Sequence, residues 1–328
     1  MGRIENFGET RNVEITILVD NRADLMLEST DTVKRYTDEP LLAEHGFAAL
    51  VDLREAGVRI LWDAGVTTIA LPENAKRVGI DLATVDEIAL SHGHGDHYAA
   101  MTDVVREIAG RPGPREWNED VTPEEIQSWL AGHKAPLIAH PAAFRERWGI
   151  DEEEGKKYGP GIVPRSEWEA AGADIILSEG PYQLGPGCWV TGAVPRRSFE
   201  HAGTHPSRAY REGDEFLRDL MDDDQSIVIN VENKGLVVLS GCAHSGIVNT
   251  VNYAIEISGV DQVWAILGGF HLAPAEDDEI QRTVDAIKKL RPTMVVPSHC
   301  TGFKAISQFA VHMPDEFVLG AVGTKYLF

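Results

Sequence analysis

Within six residues, His92-Gly93-His94-Gly95-Asp96-His97, the chain sets three imidazoles and one carboxylate. Nitrogen and carboxylate donors at this density suit borderline divalent cations, zinc first, with manganese or iron as alternatives. In an extended segment His92 and His94 project to the same side and can grip one ion. Asp96 and His97 lie where the chain turns into a helix and can face a second ion. Six residues cannot complete two coordination shells, so more ligands must come from elsewhere.

Several other apolar runs end in candidate ligands. His140 follows the run 136–139, Cys242 and His244 follow 236–240, His271 follows 263–267, and His299 follows 294–297. Repetition of this pattern is the layout of a site at the carboxyl ends of a sheet. Each case has a plainer alternative. His140 is a ligand or a histidine satisfied in the core. Cys242 and His244 form a metal turn, or a buried cysteine with a capping histidine. Asp63, ending the run 58–62, accepts the second ring N–H of a ligand histidine or is a turn residue before Gly65. Arg196 and Arg197 hold a phosphate or carboxylate, or are a solvated pair. Asp222-Asp223-Asp224 reads as a solvated turn, Cys188 as core, and His133, His201, His205 and His312 as non-ligands. No Gly-rich nucleotide loop and no G-x-S-x-G elbow is present, which favours metal-activated water over a side-chain nucleophile.

The elements that must carry these residues are short. Strands are expected at 13–19, 47–53, 58–62, 88–90, 136–139, 175–177, 188–191, 227–231, 236–240, 263–267, 294–297 and 317–322. Helices are expected at 98–108, 123–131, 246–257 and 277–290; the last has Ile280, Val284, Ile287 and Leu290 on one stripe. The mixture indicates an α/β (α+β) fold with helices packed on sheets. The stretches 111–158 and 195–224 are polar and read as lids or loops inserted in one domain spanning 1–328.

The formal net charge is -22, a surface that repels phosphate backbones and anionic membranes, so neither is expected as a partner. A small anionic substrate stays compatible, because metals and a few arginines invert the field inside a pocket. Three cysteines make no disulfide framework and suit a reducing cytoplasm. The N-terminal residues lack the apolar core of a signal peptide, and no apolar stretch approaches a membrane span. A homo-oligomer remains open.

The His92-x-His94-x-Asp96-His97 motif after a strand, with Asp63 upstream and His140, the Cys242/His244 turn and His299 downstream, resembles the metallo-β-lactamase superfamily. The segments from Asp224-Gln225-Ser226 to Asn249, Gly268-Gly269-Phe270-His271-Leu272 and His299-Cys300-Thr301-Gly302 resemble one branch of it. So do Val19-Asp20-Asn21, Glu44-His45-Gly46 and Pro195-Arg196. That branch is named for 7,8-dihydropterin-6-methyl-4-(β-D-ribofuranosyl)-aminobenzene-5'-phosphate synthase. The resemblance implies an αββα sandwich of two mixed sheets with helices on both outer faces. It implies two metal ions, with His92, His94 and His140 on the first and Asp96, His97 and His299 on the second. Many members have a bridging Asp where this chain has Cys242, so Cys242 or His244 would close the second shell, or neither. His271 would be a substrate contact, a proton donor or a ligand. His244 shares the proton-handling expectation, and Arg196 and His45 are pocket candidates. The implied activity is metal-dependent chemistry on an anionic, phosphorylated small molecule, either the synthase's condensation or hydrolysis of a phosphodiester, lactone or thioester. A metal-binding sensor without turnover and a redox di-iron protein are the other classes.

Overall fold

The computed structural model describes residues 2–110, 120–130, 134–151, 153–200 and 207–328. His133, His201 and His205 fall outside them. Of the expected helices, Asp277–Leu290 forms with the bounds read from its stripe, and Ile247–Ser258 and Pro123–Leu130 form within a residue or so of theirs. The helix expected from residue 98 starts at Met101, because a single 3-10 turn over Gly95–His97 first carries the metal motif.

One eight-stranded sheet runs in the order Val33–Arg35, Thr324–Leu327, Val13–Val19, Ala48–Leu53, Val58–Trp62, Glu87–Ala89, Ala135–Ala139, Ala173–Leu177. A six-stranded sheet runs Tyr182–Gly185, Cys188–Val190, Ser226–Val231, Gly235–Ser240, Val263–Gly269, Met294–Ser298. Alternation along each strand decides which layer it feeds. Val13, Ile15 and Ile17 join Val51, Trp62, Ile227, Ile229, Leu239 and Leu267 in the core between the sheets. On the opposite face, Leu18, Leu50, Leu61 and Ile88 meet Leu71, Val104, Val105 and Trp168 from helices Ala70–Arg77, Met101–Ala109 and Arg165–Ala171. The other sheet turns Val228, Val238 and Ile266 outward to Val251, Val284 and Phe309 from helices Ile247–Ser258, Asp277–Leu290 and Phe303–His312. The layers are helix, sheet, sheet, helix. None of the described helices is long and apolar enough to cross a membrane.

Two expectations need correction. The run 317–322 forms no strand: Phe317 makes an isolated bridge to Val295, and the final strand is Thr324–Leu327. The inserted stretches are also not bare loops. Arg147–Asp151 and Lys156–Gly161 from one pair with Arg208–Glu212 and Glu215–Arg218 from the other as a third, four-stranded sheet. Its strands carry few apolar residues and are half or fully exposed, so they lack the alternation that marks a core strand.

Parallel pairing fixes where the chemistry sits. Val58–Trp62 runs parallel to Glu87–Ala89, and Gly235–Ser240 runs parallel to Val263–Gly269, itself parallel to Met294–Ser298. Parallel neighbours end at one edge. Asp63, the 92–97 motif, Cys242, His271 and His299 each follow one of these ends.

Glu87, at the start of its strand, has a buried Oε2 without a hydrogen bond. Burial, then the charge of Asp86, pushes its carboxyl from an ordinary 4.5 up to about 7. The native state therefore favours the protonated acid. Below pH 4.5 native and unfolded chains are both protonated; as pH rises towards 7 the unfolded chain ionises first, and stability falls. Glu87→Gln is expected to match the parent near pH 4.5 and to exceed it by about 1 kcal/mol above pH 7, read by urea melts, since solvent screens a carboxyl that is only partly buried. Equal stability at both pH values would refute this.

Candidate metal centre

The structure gathers His92, His94, Asp96, His97, Cys242, His244, His271 and His299 at one edge of the sandwich. Among the described residues, three groups of potential ligands have all their donor atoms within 4.8 Å of one another: His92/Cys242/His244, His97/Cys242/His299 and Cys242/His271/Cys300. Cys242 is common to all three.

In the first group His92 Nε2 lies 3.1 Å from His94 Nδ1 and 3.2 Å from His244 Nε2. An imidazole nitrogen carries one proton or one in-plane lone pair, so His92 Nε2 cannot satisfy both neighbours by hydrogen bonding. The separations instead match the edges, about 3.3 Å, of a tetrahedron with metal–nitrogen bonds of about 2.0–2.1 Å. In the second group His97 Nε2 is 3.3 Å from Cys242 Sγ, and Asp96 Oδ2 is 3.4 Å from His299 Nε2. That His299 nitrogen is buried and makes no hydrogen bond. The residues present therefore fit divalent cations.

Ring orientation is set from behind. Asp63 Oδ2 receives the His97 Nδ1–H at 2.7 Å, while the Ser91 backbone N–H and hydroxyl each donate to Asp63 at 2.7 Å. The Ser91 hydroxyl also lies 2.9 Å from His92 Nδ1. Asn21 Oδ1 is 3.2 Å from His299 Nδ1, and Asn21 Nδ2 donates to the His299 carbonyl. These contacts leave the Nε2 atoms of His92, His97 and His299 to face the cluster. The backbone is strained to aim them: Asp63, Ala243, His271 and His299 all have positive φ, between 46° and 61°. Asp20, buried, offsets part of that cost by accepting the His299 N–H at 2.9 Å.

Electrostatics divide the histidines. Burial, with Arg147 adding, holds His94 down to about 3, and burial with His97 and His244 holds His92 well below its ordinary value. Both are neutral, with lone pairs available. Burial would lower His97, yet Asp63 and Asp96 raise it to about 9. Burial would raise Asp96, yet His97 and His299 keep it well below the usual carboxylate range. Removing the carboxylate behind His97 should loosen the second group. Asp63→Ala is expected to weaken binding of one cation by about 10–100-fold, measured by competition with a chelator; unchanged affinity for both ions would count against this orientation.

His140 is absent from the three groups, as are His94 and Asp96, but the charges around it are those of Asp223, Glu179, Arg145 and Asp222 and not those of the cluster. Its Nδ1 accepts the Ala142 N–H at 3.1 Å, capping the turn Pro141–Phe144. His244 Nε2 stands 3.2 Å from His92 Nε2, so of the two roles expected for it, ligand or proton handling, its position suits the ligand. Arg196 donates to the carbonyls of His244 and Leu220, so its guanidinium braces the Cys242/His244 turn. His45 sits at the rim, 70% exposed, with Nε2 3.6 Å from Asp96. The solvated-turn expectation for 222–224 holds for Asp222, which is exposed, and fails for Asp223 and Asp224, which are fully buried. Asp223 accepts the Gly93 N–H at 2.7 Å and pairs with Arg147, and Asp224 accepts the Ser245 N–H at 2.8 Å. A Cβ at Gly93 would overlap the Ala143 carbonyl and the Arg147 guanidinium, so the motif needs glycine there. Ser91 and Arg147 carry no signal in the sequence, whereas Asp20, Asn21 and Cys300 stand in the segments Val19-Asp20-Asn21 and His299-Cys300-Thr301-Gly302 that carry the resemblance, with no role assigned to them there.

A sandwich of this layering with clustered histidines at one edge is the metallo-β-lactamase fold. The profile described as "Metallo-beta-lactamase superfamily" matches residues 43–166, and the chain belongs to that superfamily. It is 29% identical over 317 residues to the 7,8-dihydropterin-6-methyl-4-(beta-D-ribofuranosyl)-aminobenzene-5'-phosphate synthase of Methanocaldococcus jannaschii, covering 95% of each chain. It is 32% identical over 315 residues to an uncharacterised protein of the same organism, covering 94% of this chain and 98% of that one. A solved structure described as a metal-dependent hydrolase of the beta-lactamase superfamily superposes with a TM-score of 0.70 at 22% identity, over 95% of this chain and 98% of that one.

Proposed function

We propose that the chain is a metal-dependent enzyme holding two divalent cations, zinc in the first instance, and acting on a phosphorylated small molecule by a synthase-like condensation. The observation that carries this reading is the convergence of His92, His94 and His244 on one side of Cys242 and of His97, Asp96 and His299 on the other. The relative's name supplies the product class, a dihydropterin joined through a methylene to a ribofuranosyl-aminobenzene phosphate, and the two halves are the substrates. In the reaction the arylamine nitrogen attacks the methylene carbon of a pterin-methyl diphosphate. A C–N bond forms, the C–O bond to diphosphate breaks with its electron pair, and the amine gives up one proton. Bound cations would supply Lewis-acid stabilisation of the leaving diphosphate. His271, whose Nδ1 is buried and unbonded and whose ring centroid is 4.1 Å from that of His244, is the residue suited to take the proton. The free thiols and the charge of -22 suit a reducing cytoplasm and a partner other than nucleic acid or an anionic membrane.

The test is to incubate metal-loaded protein with a pterin-methyl diphosphate and a ribofuranosyl-aminobenzene phosphate, following product by mass spectrometry and diphosphate by a coupled assay. One condensed product per diphosphate is expected. Turnover of a generic phosphodiester without condensation would make the protein a hydrolase. Full metal loading with neither turnover would make it a binding protein.

A further inference from the structure

We infer that the cleft between the metal loop and the four-stranded sheet binds the anionic, ring-bearing arm of the substrate, with Arg208 holding the anion; this rests on the enzymatic reading above. The cavity has a volume of about 170 Å3 and is bordered by His94, Tyr98, Arg147, Trp148, Tyr158 and Arg208. One wall is thus a ligand candidate and the other is the sheet built by the two insertions.

The two arginines are not equivalent. Arg147 donates to Asp219 and Asp223 at 2.7 and 2.6 Å and to the carbonyls of Ala142 and Ala143, so its charge is cancelled and its donors are occupied. Arg208 is exposed and has no ion-pair partner among the described residues. Its guanidinium faces Gly149, where a Cβ would come 3.8 Å from Nη1 and 3.7 Å from Tyr158 Cβ. The missing side chain at Gly149 keeps that corner open. On a protein of net charge -22, an exposed guanidinium beside a cavity is a local reversal of sign. Its planar fork matches phosphate or carboxylate bidentately.

The rest of the border is aromatic. The Tyr158 ring is 57% exposed. Trp148 is fixed by its indole N–H to Glu146 at 2.9 Å and by an edge contact with Phe216, 5.6 Å between centroids. A cleft with rigid aromatic surface, an exposed guanidinium and a metal-ligand candidate at its inner end selects a flat ring carrying an anion.

Titration calorimetry of the metal-loaded protein with phenyl phosphate, inorganic phosphate and benzyl alcohol separates the contributions. Phenyl phosphate is expected to bind more tightly than inorganic phosphate, and benzyl alcohol least. Arg208→Ala should weaken phenyl phosphate by about 10–100-fold, with partial recovery in Arg208→Lys. Tyr158→Ala should weaken it by about 3–10-fold. Both side chains are exposed, so metal content and Tm should stay at the parent's values. Equal affinity of the parent and Arg208→Ala would overturn the assignment, as would a parent that binds metal but not phenyl phosphate. Neither readout needs turnover: binding through Arg208 in a protein that makes no condensed product would refute the proposed reaction and still support the cleft.

Discussion

Cys242→Ala is expected to lower bound metal from two ions per chain to one or none and to abolish turnover, whereas His140→Ala should leave the metal content unchanged. Cys242 belongs to every group of convergent donors, so its loss removes a ligand from both proposed ions at once. The two sides of the cluster also meet at Ser91, which touches His92 Nδ1 at 2.9 Å and His97 Nδ1 at 3.3 Å, and in the contact between the His92 and His97 rings, 4.2 Å between centroids. Lewis-acid stabilisation is worth several kcal/mol, so the rate should fall by at least about a thousandfold. Cys242→Asp restores an anionic donor at the position where many superfamily members carry a bridging carboxylate, and should recover part of both readouts. The resemblance implies His140 as the third ligand, but the charges around it are those of Asp223, Glu179, Arg145 and Asp222 and not those of the histidine cluster. Elemental analysis after exhaustive dialysis, beside steady-state rates, checks all three variants. Retention of two ions by Cys242→Ala, or loss of one by His140→Ala, would reverse the ligand assignment.

The contrast between these residues marks how much could be read in the sequence. Ligands that follow a strand are legible, because an apolar run ending in His is a local pattern and parallel strands end together. The run 92–97, Cys242, His271 and His299 were found this way. The choice between His140 and His244 was not legible. Both follow apolar runs, and only the tertiary positions of Ala135–Ala139 and Gly235–Ser240 in different sheets separate them. The two-layer core was legible for the same reason as the ligands, from the alternation of Val13 to Val19 and its neighbours. The third sheet was not, since its strands bury little and present no apolar face. An orienting residue such as Asn21, 278 positions from His299, shows in the chain only as part of the Val19-Asp20-Asn21 resemblance, and nothing local marks it as that histidine's partner.

The largest stability effect is expected at Arg147, and it arises from the same blind spot. Its guanidinium, 11% exposed, pairs with Asp219 at 2%, and with Asp223 at 0% exposure. It also reaches the carbonyls of Ala142 and Ala143. Arg147→Ala would leave two buried carboxylates without their counter-charge, a change that costs about 3–5 kcal/mol where one partner of a buried pair is removed. A Tm drop of roughly 6–15 °C should follow. The damage should also spread to the metal loop, because Asp223 holds the Gly93 N–H with its other oxygen at 2.7 Å. A displaced Asp223 moves Gly93 and, with it, His92 and His94 on either side. Adding Asp219→Asn and Asp223→Asn to Arg147→Met removes all three charges and is expected to regain much of the lost Tm, since a buried ion pair often adds little net stability over neutral packing. If the triple variant regains Tm but not metal affinity, the ion pairs serve to fix the loop; if Arg147→Ala alone melts at the parent's Tm, the buried network does not hold the small sheet to the metal site.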